Sequence, residues 1–171
     1  HPDPTVKRQS GFLAPSFTNS SSLGLGTSIP YYFVISDDKD LTFTPKIYGD
    51  ENWIYFNEYR QAYKNAFLTL DTSYTQGYKN ISSTKTSGSK NHIFANLDFN
   101  FSKNKTNEKK LSIKTQHVSD DTYFRAHDVN TTLVDNGNTN LENEIRYSFY
   151  DEDMYFDISA SVYDNLRKNN K

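Results

Sequence analysis

Histidine and carboxylate side chains are the residues of this sequence that could support acid–base catalysis or bind a metal. The histidines lie far apart, and none has a second histidine or a carboxylate at a spacing typical of a metal site. Cysteine is absent, so this sequence offers neither a thiolate site nor a disulfide. We therefore predict no catalytic residue, no metal and no cofactor, and interpret the two strand histidines, His92 and His117, as polar lining. The four histidines are His1, His92, His117 and His127.

Acidic residues form three short runs, each in a predicted turn. Aspartate is favoured in turns because its side chain accepts hydrogen bonds from nearby backbone. None of the runs has the glycine and closing glutamate of an EF-hand. Turn formation is the favoured interpretation, and a loose divalent-cation contact on outer loops is the alternative. The runs are Asp37–Asp40, Asp120–Asp121 and Asp151–Asp153.

Three prolines lie inside predicted strands, where proline is unusual. Proline has no N–H to donate to a β-ladder and is normally confined to strand edges or bulges. Pro15 lies in the first predicted strand and Pro30 in the second. Each removes one inter-strand hydrogen bond, at a net loss of roughly 0.5–1.5 kcal/mol. Pro45, in the third strand, is interpreted as a bulge.

The elements that carry these residues are predicted to be β-strands, because apolar and polar residues alternate along most of the chain. About nine strands are predicted, starting with Ser10–Thr18, and no convincing helix. Most are close to the ~9–11 residues that cross a bilayer at a tilt. A typical example has Ile93, Ala95, Leu97 and Phe99 on one face, opposed by His92, Asn96 and Asp98.

Composition fits strands that are apolar on one side and polar on the other. The mean hydropathy is −0.82, yet the chain has 13 Tyr and 12 Phe, too many for a disordered segment. An outer-membrane β-barrel and a soluble β-sandwich both fit this profile. The formal net charge of −2 gives no argument for nucleic-acid binding. The abrupt start suggests a segment of a longer protein.

The lengths of the predicted connections favour a barrel over a sandwich. The two longest, Gly77–Lys90 and Ser119–Asn138, are both odd-numbered in chain order. In an up-and-down meander, odd-numbered connections share one end. Outer-membrane barrels have short periplasmic turns and longer outer loops, so these two are predicted to lie outside.

Four motifs resemble the LPS-assembly protein LptD family, also called the organic-solvent-tolerance family. They occur in the family's order between residues 7 and 124. Lys7–Pro15 resembles R-x-S-G-F-L-x-P, Ile29–Tyr32 resembles P-Y-[YF], Asp40–Pro45 resembles D-x-T-x-T-P, and Val118–Phe124 resembles V-S-D-D-x-Y-F.

The resemblance implies an all-β, antiparallel up-and-down meander of about nine strands, part of a very large outer-membrane barrel. Residues 1–9 would end the junction with a periplasmic jellyroll, and residues 10–171 would be the first barrel strands. The implied function is insertion of lipopolysaccharide into the outer leaflet of a Gram-negative cell. The implied partners are lipopolysaccharide, an LptE-type lipoprotein plug and a periplasmic LptA-type bridge that contacts the missing N-terminal domain.

The resemblance also implies a lateral gate between the first and last strands of the barrel. The family's gate prolines correspond to Pro15 and Pro30, and the gate strand contains Ser10, Gly11, Phe12, Leu13 and Ala14. The alternative is that the prolines merely bend the strands toward the jellyroll. For the whole chain, the alternative functions are another porin-like barrel and a soluble carbohydrate-binding β-sandwich. No residue pattern supports an enzyme.

Overall fold

A computed structural model describes residues 7–20, 23–82, 85–102, 107–127, 129–135 and 137–166. These residues form one antiparallel sheet and a single-turn helix. The strands are β1 Gly11–Phe12, β2 Ser16–Ser20, β3 Gly24–Ser28, β4 Tyr31–Ser36, β5 Lys39–Tyr48, β6 Ile54–Ala62, β7 Ala66–Thr75, β8 Lys90–Asn100, β9 Glu108–Val118, β10 Asn140–Asp151 and β11 Met154–Asn165. The helix α1 is Tyr123–Ala126.

The predicted antiparallel meander is confirmed, with one refinement at its beginning. Pro15 separates β1 from β2, and Pro30 separates β3 from β4. The first two predicted strands are therefore four observed ones. β1 pairs with β4 and β2 with β3, and both β3 and β4 pair with β5. From β5 onward each strand pairs with the next as far as β11, so β1/β2 and β11 are the two edges of the described sheet.

The two faces of the sheet differ in polarity, as alternation requires. One row across β7 to β11 is entirely apolar, and the adjacent row on the opposite face is polar or charged. Side chains of the apolar face are open to the surroundings; Ile145, for example, is 56% exposed. The apolar row is Leu68, Leu97, Ile113, Ile145 and Ala160, and the polar row is Thr69, Asn96, Lys114, Glu144 and Ser161.

The connection between β9 and β10 folds back over the polar face. Its Tyr123, Phe124 and Val129 are fully buried, and they belong to one hydrophobic cluster with Phe94 and Val118 of the sheet. Phe94 lies in register with Asp71 and Gln116 and so belongs to the polar face. The main core of the described residues therefore lies between the polar face and this segment, which we call the inserted loop (residues 119–139).

Connection lengths sort by the end of the sheet, as predicted. At one end the successive connections become longer along the chain, with 3, 5, 14 and 21 residues, and the last of these is the inserted loop. At the other end they have 2, 3, 7 and 2 residues. We call these the loop end and the turn end. The single-turn helix α1 was not predicted, because four residues are too few to show a 3.6-residue period.

Among the described residues, no helix is long and apolar enough to cross a membrane.

Neighbouring substitutions on β11 test the assignment of the faces. Ala160 continues the apolar row, whereas Ser161 pairs with Glu144 on the polar face, and both are exposed. In the full-length protein refolded into lipid, we expect Ala160→Arg to lower the free energy of unfolding by roughly 2–4 kcal/mol, since arginine is costly against lipid. Ser161→Arg is the control and should change it by less than about 0.5 kcal/mol. Equal effects in a urea titration would contradict this assignment.

Candidate functional site

The first meander strand consists of β1 and β2, the second of β3 and β4, and the third is β5. The ladder between the first two is interrupted at Pro15 and Pro30. On one side of the gap Ser16 pairs with Ser28, and on the other Phe12 pairs with Tyr31. Three residues of the first strand therefore face two of the second, which is the count of a β-bulge. One hydrogen bond crosses the gap, from the Leu13 N–H to the Pro30 carbonyl at 2.9 Å. We call this region, Leu13–Pro15 with Ile29–Pro30, the proline break.

The predicted gate strand, Ser10–Ala14, runs into the proline break and is weakly paired. Only Gly11 and Phe12 are in register with β4, and the Ser10 Oγ accepts a hydrogen bond from the Val34 N–H at 2.8 Å. The Phe12 ring is exposed and packs edge-on against Tyr31, with centroids 4.9 Å apart. Leu13 lines a cleft on the polar face, and Ala14 is exposed.

Pro45 does not form the bulge that was predicted. It lies inside β5 in register with Tyr55 of β6, and the registers on both sides of it are continuous. A register shift occurs instead between Val34 and Ser36, next to the β4–β5 turn. The Pro45 carbonyl accepts a hydrogen bond from the Ile29 N–H at 3.2 Å. Pro45 therefore extends the proline break to the third strand, because its missing N–H is on the side facing Ile29.

Arg8 and Asp40 form an ion pair at the turn end, which sequence analysis missed. The Arg8 guanidinium also donates to the Tyr32 hydroxyl, and the Arg60 Nε donates to Asp40 Oδ1 at 2.9 Å. Asp40 is only 4% exposed. Arg8, Tyr32 and Asp40 come from three of the quoted motifs, but their separation along the chain gave no sign of the contact. We call Arg8, Tyr32, Asp40 and Arg60 the arginine clamp.

A cleft of about 560 Å³ opens on the polar face between the proline break and the inserted loop. Leu13 forms its rim on the first strand, and Thr131 contributes from the inserted loop. Carboxylate, guanidinium and hydroxyl groups line the wall between them, so the cleft can accept a ligand with many hydrogen-bonding groups. The wall residues include Tyr32, Thr42, Glu58, Arg60, Asp71 and His92.

A buried chain of hydrogen bonds fixes α1 to the polar face. Ser73 Oγ lies 2.5 Å from both His92 Nδ1 and the Tyr123 hydroxyl oxygen. Ser73, His92 and Tyr123 are each at most 3% exposed. Low exposure raises the cost of losing any one partner, so this chain sets the position of the inserted loop.

Ion pairs connect the loops to one another at the loop end. Lys90 Nζ lies 2.9 Å from Asp120 Oδ2, and Lys85 Nζ lies 2.6 Å from Glu51 Oε1. Burial opposes ionisation of Asp120, but hydrogen bonds from Thr122 and Lys90 outweigh it and hold the pKa of Asp120 well below its usual range. Asp120 therefore stabilises the loops, as expected if the acidic runs serve to form turns.

The histidines are not brought together by the fold. His92 lies on the polar face as predicted, but the prediction for His117 is wrong. His117 is paired with Ile93 on the apolar face, near the loop end of β9, where a polar ring can reach the water interface. His127 packs against Tyr78 and Tyr123 in the loops, and His1 lies outside the described residues. Within those residues, no group of three or more His, Asp or Glu side chains could hold a metal.

One sheet with an exposed apolar face, a polar reverse, and loops sorted by length defines a class of protein, the transmembrane β-barrel. In a β-sandwich the apolar faces of two sheets would cover each other, whereas all eleven strands here belong to one sheet. The described residues are a section of barrel wall that is not closed.

Comparisons with known proteins narrow this class to one family. The family model described as LptD protein matches residues 1–171. The LPS-assembly protein LptD of Nitrosococcus oceani is 33% identical over 125 residues, covering 69% of this chain and 15% of the relative. Its counterpart in Shewanella sp. (strain ANA-3) is 31% identical over 159 residues, covering 92% and 19%, and that of Shewanella frigidimarina is 29% identical over 158 residues, covering 89% and 19%.

The chain belongs to the LptD family, as the motifs indicated. It spans about a fifth or less of the length of these three relatives. Their names refer to the assembly of lipopolysaccharide and to no catalytic activity.

Substitution of Tyr123 tests the docking of the inserted loop. Tyr123→Phe removes the hydroxyl that meets Ser73 in a buried position. We expect docking to weaken by about 1–3 kcal/mol, seen as faster protease cleavage within residues 119–139 of the folded full-length protein. Tyr155→Phe is the matched control, since the Tyr155 hydroxyl bonds Asp157 on the exposed strand β11. Wild-type resistance in the Tyr123 variant would contradict the docking.

Acidification provides a second test of the same loop. Burial lowers the pKa of His127 to about 4, so folding favours its neutral form. The stability that neutral His127 contributes is complete above the ordinary histidine pKa of about 6.5. It is lost as the pH falls through the pKa that His127 has in the folded protein. We expect cleavage within the inserted loop to accelerate as pH falls from 6.5 toward 4. His127→Gln should show a weaker pH dependence, and an unchanged dependence would contradict this role for His127.

Proposed function

We propose that this chain forms the first strands of an outer-membrane barrel that inserts lipopolysaccharide into the outer leaflet of a Gram-negative cell. Lipopolysaccharide leaves the lumen sideways, between the first strand and the last strand of the complete barrel. Membership of the LptD family supports the substrate class, and the proline break supports the place of exit. The proline break is the single observation that carries the proposal.

Backbone hydrogen bonds decide where a barrel wall can open. Within lipid, every backbone N–H and C=O group must find a partner inside the protein, so a barrel wall resists opening. Pro15 and Pro30 lack the N–H that a ladder needs, and they lie at the same level on neighbouring strands. The first meander strand is also an edge of the described sheet. Moving the first strand at the proline break disrupts fewer hydrogen bonds than separating neighbouring strands anywhere between β5 and β11.

The surfaces beside the proline break suit an amphipathic lipid. The cleft on the polar face holds hydrogen-bonding groups suited to a saccharide, and Leu13 lies at its rim. On the apolar face, Phe12 and Phe33 are exposed beside the break, where acyl chains would lie. A molecule passing the first strand would therefore keep its sugars on the polar side and its chains on the apolar side.

The two proposed protein partners are assigned to different parts of this chain. The inserted loop covers the polar face from the loop end as far as Asp71, to which Thr132 donates a hydrogen bond at 3.4 Å. A second cleft of about 620 Å³ lies at the turn end, lined by Lys64, Asp98 and Arg146 among others. We assign this uncovered region to an LptE-type lipoprotein plug. An LptA-type bridge would contact a jellyroll domain joined through residues 1–9, of which residues 1–6 lie outside the described part of the chain.

A porin-like barrel is the remaining alternative to an LPS translocon. It would use the polar face as an aqueous channel, and the proline break would be a mere bend. We propose no enzymatic activity for the chain. The two functions differ in one measurable property, which is whether the break controls lipid export.

Restoring the missing donors tests the gate. In the full-length protein, Pro15→Ala with Pro30→Ala adds two N–H groups beside the first strand. We expect tighter pairing, by roughly 1–3 kcal/mol for two hydrogen bonds, and slower appearance of pulse-labelled lipopolysaccharide at the cell surface. Pro45→Ala is the control, because it adds its N–H between β3 and β5, away from the sheet edge, and should slow export less.

Protein levels in the outer membrane must match for this comparison. Unchanged surface lipopolysaccharide in the double variant would contradict the gate and favour the porin-like alternative.

A further inference from the structure

Side chains, and not a β-ladder, hold the base of the first strand. β1 has two residues in register with β4, whereas β7 and β8 share ten. The proline break then removes donors directly after β1. With so short a ladder, the position of β1 depends on contacts made by the residues just before it.

Arg8 makes those contacts, and they reach past the neighbouring strand. Its guanidinium binds the Tyr32 hydroxyl on β4 and the Asp40 carboxylate on β5, and it donates to the Asp37 carbonyl in the turn between them at 3.4 Å. Hydrogen bonds between charged groups are stronger than neutral ones. Arg8 therefore connects the base of the first strand directly to the third meander strand.

Asp40 is held from both sides. Its Oδ2 atom meets Arg8 and its Oδ1 atom meets Arg60 of β6. Arg60 also lies 3.4 Å from Glu58 on the same strand. Because Asp40 is nearly inaccessible to solvent, removing its charge would leave two guanidinium groups facing each other. The base of the first strand is thereby fixed to strands beyond the break.

The opposite end of the first two meander strands is fixed by packing. Leu23, between β2 and β3, is buried in a cluster with Tyr48, Ile54 and Tyr78. The Tyr48 ring lies against Gly26 so closely that an added Cβ would be 2.6 Å from it. Both ends are therefore attached to the rest of the sheet, and the proline break lies between them.

We propose that Arg8 is a positioning residue of the lateral gate, which anchors the base of the first strand so that movement of this strand away from the last strand is confined to the proline break. This inference rests on the proposed function, because it assigns a role within that gate. Without the anchor, β1 would separate from β4 together with the break. The gate would then lose the fixed edge against which it closes.

Hydrogen exchange of the full-length protein, with its lipoprotein partner in lipid nanodiscs, tests the anchor. The reporters are the amides of Leu13 and Val34, which bond Pro30 and Ser10 respectively. We expect Arg8→Gln to speed their exchange about tenfold, and Arg8→Lys, which keeps the charge, by less than about threefold. Asp40→Asn should speed exchange more than Arg8→Gln does. Adding Arg8→Gln to Asp40→Asn should cause no further increase in exchange rate, since both substitutions remove the contact between Arg8 and Asp40.

Lys114→Gln is the matched control, because it breaks an ion pair with Glu142 that lies far from the first strand. Wild-type exchange at Leu13 and Val34 in Arg8→Gln would overturn the anchor. An equal increase across β10 and β11 would also overturn it, since the effect would be general loosening.

Surface lipopolysaccharide, measured in the same variants, separates this inference from the proposed function. Faster exchange with slower or leakier export supports Arg8 as a positioning residue. Faster exchange with normal export overturns its role in the gate, while the proline variants alone decide whether the gate exists.

Discussion

The structure depends on one constraint, which is that a sheet surrounded by lipid must satisfy its own backbone hydrogen bonds. From β5 to β11 this chain does so with long, continuous ladders. Pro15, Pro30 and Pro45 depart from it together, at one level of three neighbouring strands. Because the missing donors coincide, their effects combine into one weak region and are not scattered along the wall. Weak pairing at this edge is the observation on which the proposed gate rests.

Side chains compensate where the backbone is weak. The arginine clamp ties the first strand at the turn end, and the Leu23 and Tyr48 packing ties its neighbour at the loop end. On the polar face, the Ser73, His92 and Tyr123 chain holds the inserted loop over the lumen side of the wall. A molecule on the polar side of this wall therefore meets a covered loop end and a softened edge. The proposed sideways exit rests on that combination and on the family to which the chain belongs.

Much of this architecture could be predicted from the sequence. Alternation gave the strands and their faces, because the side-chain period of a strand is two, and connection lengths gave the two ends. Contacts between distant residues could not be predicted. Nothing in the 31 residues between Arg8 and Asp40 identifies them as a pair, and Asp40 looked like a turn residue. Pro45 was misassigned because alternation does not report whether a proline fits the register of a strand. His117 was misassigned because alternation does not report how near the end of a strand lies to the membrane–water interface. The short helix α1 is set by its burial against Phe94 and not by a local pattern.

The most direct test of the central claim is the hydrogen-exchange profile of the unmodified full-length protein in lipid, resolved to single amides. We expect Leu13 and Ile29, whose N–H groups bond to proline carbonyls, to exchange much faster than Leu97 and Ile113 in the continuous ladders. Protection across the first four strands equal to that of β8 and β9 would show that the break is paired as firmly as the rest of the wall, and would contradict the account.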